Sequence, residues 1–171
     1  AMSFLDVGTG SGVIALSLAL EKPEARVTAC DFSPQALALA AENRARHGLE
    51  ARVGLIESDL LAVVEGSFDV VVANLPYIPT AEISGLSKEV LQDPISALDG
   101  GQDGLQLIDR LSASVRSHLT SRGLLALEIG HDQAECVVSL LRDRGFQDVC
   151  SHSDHQGRGR FVLGRAPGAF S

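Results

Sequence analysis

Four short apolar runs, each stopped by a glycine or a polar residue and most followed by a segment of helical period, constrain this chain more than any other feature. Ser3 to Val7 stops at glycines, Arg26 to Cys30 at Asp31, Ala51 to Ile56 at Glu57, Ser58 and Asp59, and Phe68 to Ala73 at Asn74. Between the first two, Val13 to Lys22 is apolar on nearly every side, as a helix buried against a sheet would be. Ser33 is a candidate N-cap with Pro34 at the first helical position, opening a helix that runs to His47 and that Gly48 can stop. Phe68 to Ala73 is β-branched and apolar on both faces, which suits the middle of a parallel sheet with helices on either side. Thr80 to Gly101 mixes Pro94, three glycines and several acids with weak periodicity, and a loop this long in a compact domain is usually functional. Helical spacing returns from about Asp103 to Ser121, followed by a strand at Gly123 to Ile129, a helix at Asp132 to Arg144, and strands at Phe146 to Ser151 and Arg160 to Gly164. The connection before the last strand is too short for a crossover helix, so that strand is expected to pair antiparallel. The sum predicts a doubly wound α/β domain spanning residues 1–171, in which a ligand binds beyond the carboxyl ends of the strands.

Composition narrows the function classes. The formal charge is -8 with a pI near 5.0, and scattered basic residues leave no footprint for a phosphate backbone, so nucleic acid is not an expected partner. Three cysteines without CxxC spacing argue against a disulfide framework or a zinc site and are read as buried apolar fillers in a reducing, cytoplasmic protein. No apolar run reaches the roughly 18 residues of a membrane span, and no basic segment leads into a signal core. His152, Asp154 and His155 read as a solvated turn rather than a metal site. No GxSxG elbow accompanies Ser11 and the histidines, so no hydrolase is indicated. Oligomeric state is not legible.

The first strand ends in Asp6-Val7-Gly8-Thr9-Gly10-Ser11-Gly12. Glycines there allow a tight turn and let a ligand approach the amides that open the next helix. Val13 stands where a dinucleotide fingerprint needs Gly or Ala, and no lysine follows as in a P-loop. The GxGxG pattern after one acid, with Asp31 ending the second strand, is the arrangement that S-adenosylmethionine sites use. An ionised Asp31 has acceptors for both ribose hydroxyls. Phe32 either packs on the adenine or belongs to the core, while Ser58, Asp59 and Leu60 are placed to read the adenine edge.

At the end of the fourth strand, Asn74-Leu75-Pro76-Tyr77 offers a side-chain oxygen, a main-chain carbonyl and an aromatic face to a planar group bearing NH2. Pro76 holds Leu75 extended and so helps fix that carbonyl. This NLPY tetrapeptide resembles the [N/D/S]PP[Y/F/W] motif of amino methyltransferases. Its flanks, from VVANLPYIP through Glu82, Leu86, Glu89-Val90, Asp93-Pro94, Ala97-Leu98, Gly100-Gly101 and Asp103-Gly104-Leu105 to LALEIGHDQ, resemble the PrmC/HemK group over nearly the whole chain. The resemblance implies a Rossmann-like class I fold, S-adenosylmethionine as methyl donor, and transfer to the side-chain nitrogen N5 of a glutamine in the GGQ loop of a peptide-chain release factor. It places cofactor contacts at Asp6, Gly8, Thr9, Gly10, Gly12, Asp31, Phe32, Ser58, Asp59, Leu60 and Asn74, and the transfer chemistry at Asn74, Leu75, Pro76 and Tyr77.

Two features depart from that group. Leu75 stands where a first proline is usual, and the helical N-terminal domain that helps grip the substrate is expected to be missing. Two alternatives therefore stand beside the release factor: a ribosomal-protein glutamine or a flipped base as acceptor, and a cofactor-binding module without turnover. Glu128 is expected to face the cleft or to cap a neighbouring helix. Glu89 and Asp93 either hold the long loop over the substrate or are surface acids. The Leu75-Pro76 bond is expected to be trans.

Overall fold

The computed structural model describes residues 1–86 and 94–168. Seven strands form one sheet in the order β3-β2-β1-β4-β5-β7-β6, from β1 (Ser3–Val7), β2 (Arg26–Asp31), β3 (Val53–Glu57), β4 (Phe68–Asn74), β5 (Leu119–Glu128), β6 (Gln147–Ser153) and β7 (Gly159–Arg165). The first five pair in parallel, and β7 is antiparallel to both β5 and β6. The turn between β6 and β7 is too short to carry the chain back across the sheet, so the reversal expected from the sequence is present.

Alternation along β1 assigns its residues to opposite faces. Leu5 and Val7 join Val71, Ala73, Leu125 and Leu127 in a core covered by α3 (Gln106–Ser114) and α4 (Ala134–Asp143). Phe4 instead packs with Val27, Ala29 and Val53 under α1 (Val13–Glu21). The apolar circumference of α1 is only partly used: Ala15, Leu16 and Ala19 are buried, whereas Val13 and Leu20 are exposed. The helix α2 (Pro34–Arg46) starts as expected, with the Ser33 hydroxyl accepting from the Ala36 amide and proline in the first turn.

Three local expectations are corrected. The helix after the long loop ends at Ser114, passes through a 3-10 turn at Val115–His118, and gives way to β5 at Leu119, where Leu119 pairs with Phe68 and Thr120 donates to Asp69. Tertiary pairing with β4 thus overrides the helical spacing. Of the cysteines only Cys30 is buried; Cys136 and Cys150 lie on solvent-facing positions of α4 and β6, where a small side chain meets no packing demand. Thr80 to Gly101 is not structureless: Thr80–Gly85 and Ile95–Ala97 form 3-10 turns. Glu89 and Asp93 lie outside the described residues.

Candidate active site

The parallel register brings four strand ends together. Val7 lies between Cys30 and Ala73, Asp31 is level with Glu57, and Asn74 is level with Glu128. The loops that leave β1, β2, β3 and β4 therefore all open onto one edge of the sheet.

Asp6 is fully buried on the α1 side, and its Oδ2 accepts from the Thr9 hydroxyl at 2.6 Å and from the Ala15 amide at 3.1 Å. That carboxylate ties the loop to the start of α1. Its Oδ1 has no hydrogen-bond partner among the described residues. Burial pushes the carboxyl up to about 6, against the opposing effect of the Thr9 and Ala15 bonds, and the nearby Asp31 charge adds to the rise. The loop itself hangs from β2: the amides of Gly8 and Thr9 both donate to the Cys30 carbonyl, at 2.9 and 3.0 Å. Gly12 ends it in a left-handed conformation as the N-cap of α1.

Asp31 is 8% exposed. One of its oxygens accepts from the Gly10 amide at 2.8 Å and the other from the Ser33 amide at 2.9 Å. The carboxylate is thus already oriented by the backbone, and each oxygen keeps a lone pair for a further donor. Beside it Phe32 is 57% exposed, so the ring stands in solvent rather than in the core. Ser58 is buried, with its amide on the Asp31 carbonyl at 2.9 Å and its hydroxyl accepting from the Val63 amide. Asp59 forms an exposed ion pair with Arg110 of α3 at 2.7 Å, and Leu60 has a φ of +51° and accepts from the Cys30 thiol. Nothing lies within 4 Å of where a side chain would project from Gly10, so that face of the loop is open. An open glycine, an exposed ring, spare carboxylate lone pairs and an unsatisfied buried oxygen on Asp6 fit a nucleoside ligand that also carries hydrogen-bond donors.

The Asn74 to Tyr77 segment touches this loop directly. A Cβ on Gly8, whose φ is +72°, would come within 2.8 Å of the Leu75 Cδ2 and 3.9 Å of the Asn74 carbonyl. Leu75 is buried, so the side chain that stands where the resembled motif has its first proline fills space against the glycine loop. The Leu75-Pro76 bond is trans, since no cis peptide occurs among the described residues. Asn74 is exposed, and its amide has no hydrogen-bond partner among the described residues.

Distant parts of the chain fasten the segment from Tyr77 onward. Ile78 bridges to Asp99, with the Ile78 amide on the Leu98 carbonyl and the Gly100 amide on the Ile78 carbonyl. The Asp99 carboxylate accepts from the Thr80 hydroxyl at 2.7 Å and the Gly101 amide at 2.9 Å, bonds that hold it below the usual carboxylate range. Gly104 passes so close to the Tyr77 carbonyl that a side chain there would collide with it. Gln133, buried at the start of α4, accepts from the Gly130 amide and donates to the Tyr77 carbonyl, each at 2.9 Å. None of these fastenings uses the Leu75 carbonyl.

Gln133 and Arg160 escape sequence reasoning as site residues. Gln133 closes the LEIGHDQ stretch, a visible signal that names no partner; Arg160 looks like one strand cation among several. Glu128 is half-buried, level with Asn74 on one side and Phe161 on the other. His152 lies on β6 next to Cys150, and the Asp154 carboxylate closes its own turn by accepting from the amides of Gln156 and Arg158. Neither the roughly 580 Å³ groove at the opposite pole of the sheet, beside Arg116, Thr120 and Pro167, nor the smaller one outside α1 coincides with this cleft.

Residues 1–102 match the family model of the methyltransferase small domain. A release factor glutamine methyltransferase of Moorella thermoacetica is 49% identical over 160 residues, 92% of this chain and 56% of the relative. One from Geobacter sulfurreducens is 42% identical over 167 residues, 96% of this chain and 58% of the relative. The resemblance to the PrmC/HemK group read from the motifs is thereby borne out, and the chain spans somewhat more than half the length of these curated relatives. Among solved structures, a ribosomal protein L11 methylase of Lactobacillus delbrueckii subsp. bulgaricus superimposes with a TM-score of 0.71 at 24% identity, covering 96% of this chain and 70% of that one. A methyltransferase of Pyrococcus furiosus gives 0.73 at 20% identity, covering 98% and 76%. These structural likenesses bear out the Rossmann-like class I methyltransferase fold.

Proposed function

Since the chain belongs to the methyltransferase small domain family, we propose that it transfers a methyl group from S-adenosylmethionine to the side-chain nitrogen N5 of a glutamine in a peptide-chain release factor. The observation that carries this is the direct contact between the two motifs. Leu75 packs on Gly8 of the glycine loop, so Asn74, whose side-chain amide has no hydrogen-bond partner among the described residues, adjoins the loop that would hold the sulfonium.

In this reading the backbone of Gly8 to Gly12, with Thr9, wraps the ligand, and the spare Asp31 lone pairs take the ribose hydroxyls. Phe32 stacks on the adenine, and Ser58 to Leu60 line its edge. The buried Asp6 secures the loop. Bound S-adenosylmethionine would supply an electrophilic methyl group: on transfer to the amide nitrogen the carbon–sulfur electron pair would stay on sulfur, and a nitrogen proton would be lost to water. The amide nitrogen is a poor nucleophile because its lone pair is delocalised, so alignment does much of the work. The Asn74 oxygen and the Leu75 carbonyl accept its two N–H bonds, and Tyr77 covers its flat face. As the nitrogen gains positive charge its protons become stronger donors, so these two oxygens bind the transition state more tightly than the substrate. A dedicated base is not needed when the proton leaves after transfer.

Incubation of the chain with S-adenosylmethionine and a purified release factor, followed by peptide mass spectrometry, tests the proposal. Methylation of the GGQ glutamine that falls by about 100-fold to 1000-fold in Asn74→Ala, beyond whatever cofactor affinity the same variant loses, is the expected result. Cofactor binding without transfer to the release factor would overturn the substrate assignment. No helix among the described residues is long and apolar enough to cross a membrane, and action on a translation factor fits a cytoplasmic location.

A further inference from the structure

Tyr77 is gripped at both ends by residues that arrive late in the chain. Its carbonyl accepts from Gln133 at 2.9 Å. Its hydroxyl accepts from Arg160 Nη1 at 3.3 Å, and the guanidinium carbon lies over the ring, 5.9 Å from the centroid. That separation is within reach of a cation–π attraction, and the hydrogen bond comes from a charged donor. Arg160 is itself constrained. The same nitrogen reaches the Ile129 carbonyl at 3.5 Å, and Nε lies 3.9 Å from the Asp154 carboxylate. Asp154 in turn is fixed by the amides of Gln156 and Arg158 at 2.8 and 3.0 Å. A relay of polar contacts therefore runs from the β6–β7 turn to the phenol, and the phenol stands in the segment that begins at Asn74.

Without Arg160 the Tyr77 hydroxyl has no other hydrogen-bond partner among the described residues, and the Gln133 bond holds only the backbone carbonyl. A half-buried ring without that contact has one restraint fewer on χ1, and each turn away removes the flat face that a planar amide needs. Gln133 cannot replace the lost contact, because it holds the carbonyl and leaves the rotamer free. Lysine could restore a charge but not the planar fork, which here reaches Tyr77, Ile129 and Asp154 together.

We infer that Arg160 is a positioning residue of the transfer site, acting through the Tyr77 hydroxyl to hold the ring where the acceptor amide stacks. The inference rests on the functional reading above, and its test separates the two. Tyr77 is the only tyrosine and the chain has no tryptophan, so the near-ultraviolet circular dichroism of the tyrosine band reports this one ring. In Arg160→Gln the band is expected to collapse while the far-ultraviolet spectrum and the affinity for S-adenosylhomocysteine are unchanged. Turnover on a release factor is expected to fall by about tenfold to a hundredfold in kcat, with a smaller change in KM for the protein substrate. Tyr77→Phe, which removes only the hydroxyl, should lower kcat similarly, and adding Arg160→Gln to it should cost nothing further. Arg160→Lys should recover part of both the band and the rate, and it supplies the measurement should Arg160→Gln fail to fold.

An unchanged tyrosine band in Arg160→Gln, or full additivity with Tyr77→Phe, overturns the inference. A wild-type chain that binds S-adenosylhomocysteine but methylates no release factor overturns the functional reading instead, and the tyrosine band then decides the positioning role alone.

Discussion

The glycine-loop side of the cleft and the Asn74–Tyr77 side are fastened over very different lengths of chain. Asp6 holds residues 3 and 9 positions away, and Asp31 holds Ser33 and Gly10, 2 and 21 positions away. Tyr77 depends on Gln133 and Arg160, 56 and 83 positions away. Short closures cost little chain entropy, and one β1-α1-β2 unit contains nearly every bond that shapes the glycine loop. The other side takes its final form only when β5, α4 and β7 are in place. The proposed cofactor side is thus a local motif, and the proposed transfer side is a product of the whole sheet.

The largest effect that would break this comparison is on the local side. Asp31→Ala removes the acceptor of two loop amides and of the two proposed ribose hydroxyls. Hydrogen bonds to a charged acceptor are worth about 1.5–3 kcal/mol each, so calorimetric titration with S-adenosylhomocysteine should show a loss of roughly a hundredfold or more while the Tyr77 circular dichroism persists. An affinity within a few fold of wild type would mean that the cleft has been assigned to the wrong edge.

Asp6 gives the next effect, and it depends on pH. The carboxyl ionises near 6 when folded and at its ordinary value, near 3.8, when unfolded. The folded state therefore holds a proton more tightly, and the advantage is complete below the unfolded value and lost as pH rises through about 6. The swing is roughly 3 kcal/mol. In Asp6→Asn that dependence disappears, so denaturant titrations at pH 4 and pH 7.5 should show the variant gaining on wild type by about that amount as pH rises. A parallel pH dependence in both proteins would place the burial penalty elsewhere.

On the distant side, Gln133→Ala leaves the Gly130 amide and the Tyr77 carbonyl without their partner, and should cost about 1–3 kcal/mol of stability. It should also slow transfer, with cofactor affinity intact; weaker S-adenosylhomocysteine binding would show that the two sides are not independent. The smallest effect belongs to Arg110→Ala. The Asp59–Arg110 pair ties the loop after β3 to α3 at 2.7 Å, but its side chains are 62% and 47% exposed. Such a pair contributes at most about 1 kcal/mol and is screened by salt. A larger, salt-insensitive loss would sharpen the comparison into a mechanical link between cofactor and substrate.

Much of the fold is legible in the sequence because its signals are local. Period-2 and helical segments alternate, Ser33-Pro34 marks a helix start, and the short β6–β7 connection forces the antiparallel pairing of β7. The helical spacing up to Ser121 misleads because pairing of Leu119 with Phe68 decides that stretch. The cysteines mislead because a free thiol is tolerated at an exposed position as well as in a core, and composition does not tell the two apart. In the candidate site, Asp6, Gly8, Asp31 and Asn74 can be named from their places at strand ends. Gln133 is visible only as part of a motif, and Arg160 not at all.

By itself the sequence determined that the glycine loop and the polar residues Asp31 and Asn74 stand at strand ends, with Gly8 where the backbone takes a positive φ. These arise from backbone preferences and from bonds between near neighbours, which a residue carries wherever it is placed. Only the tertiary structure decided that the Asp31 oxygens orient the loop, that Leu75 seals Gly8, and that Gln133 and Arg160 reach Tyr77 from across the sheet. Contacts of that kind depend on the relative placement of whole strands, and strand order and register become definite only when the two cores close together.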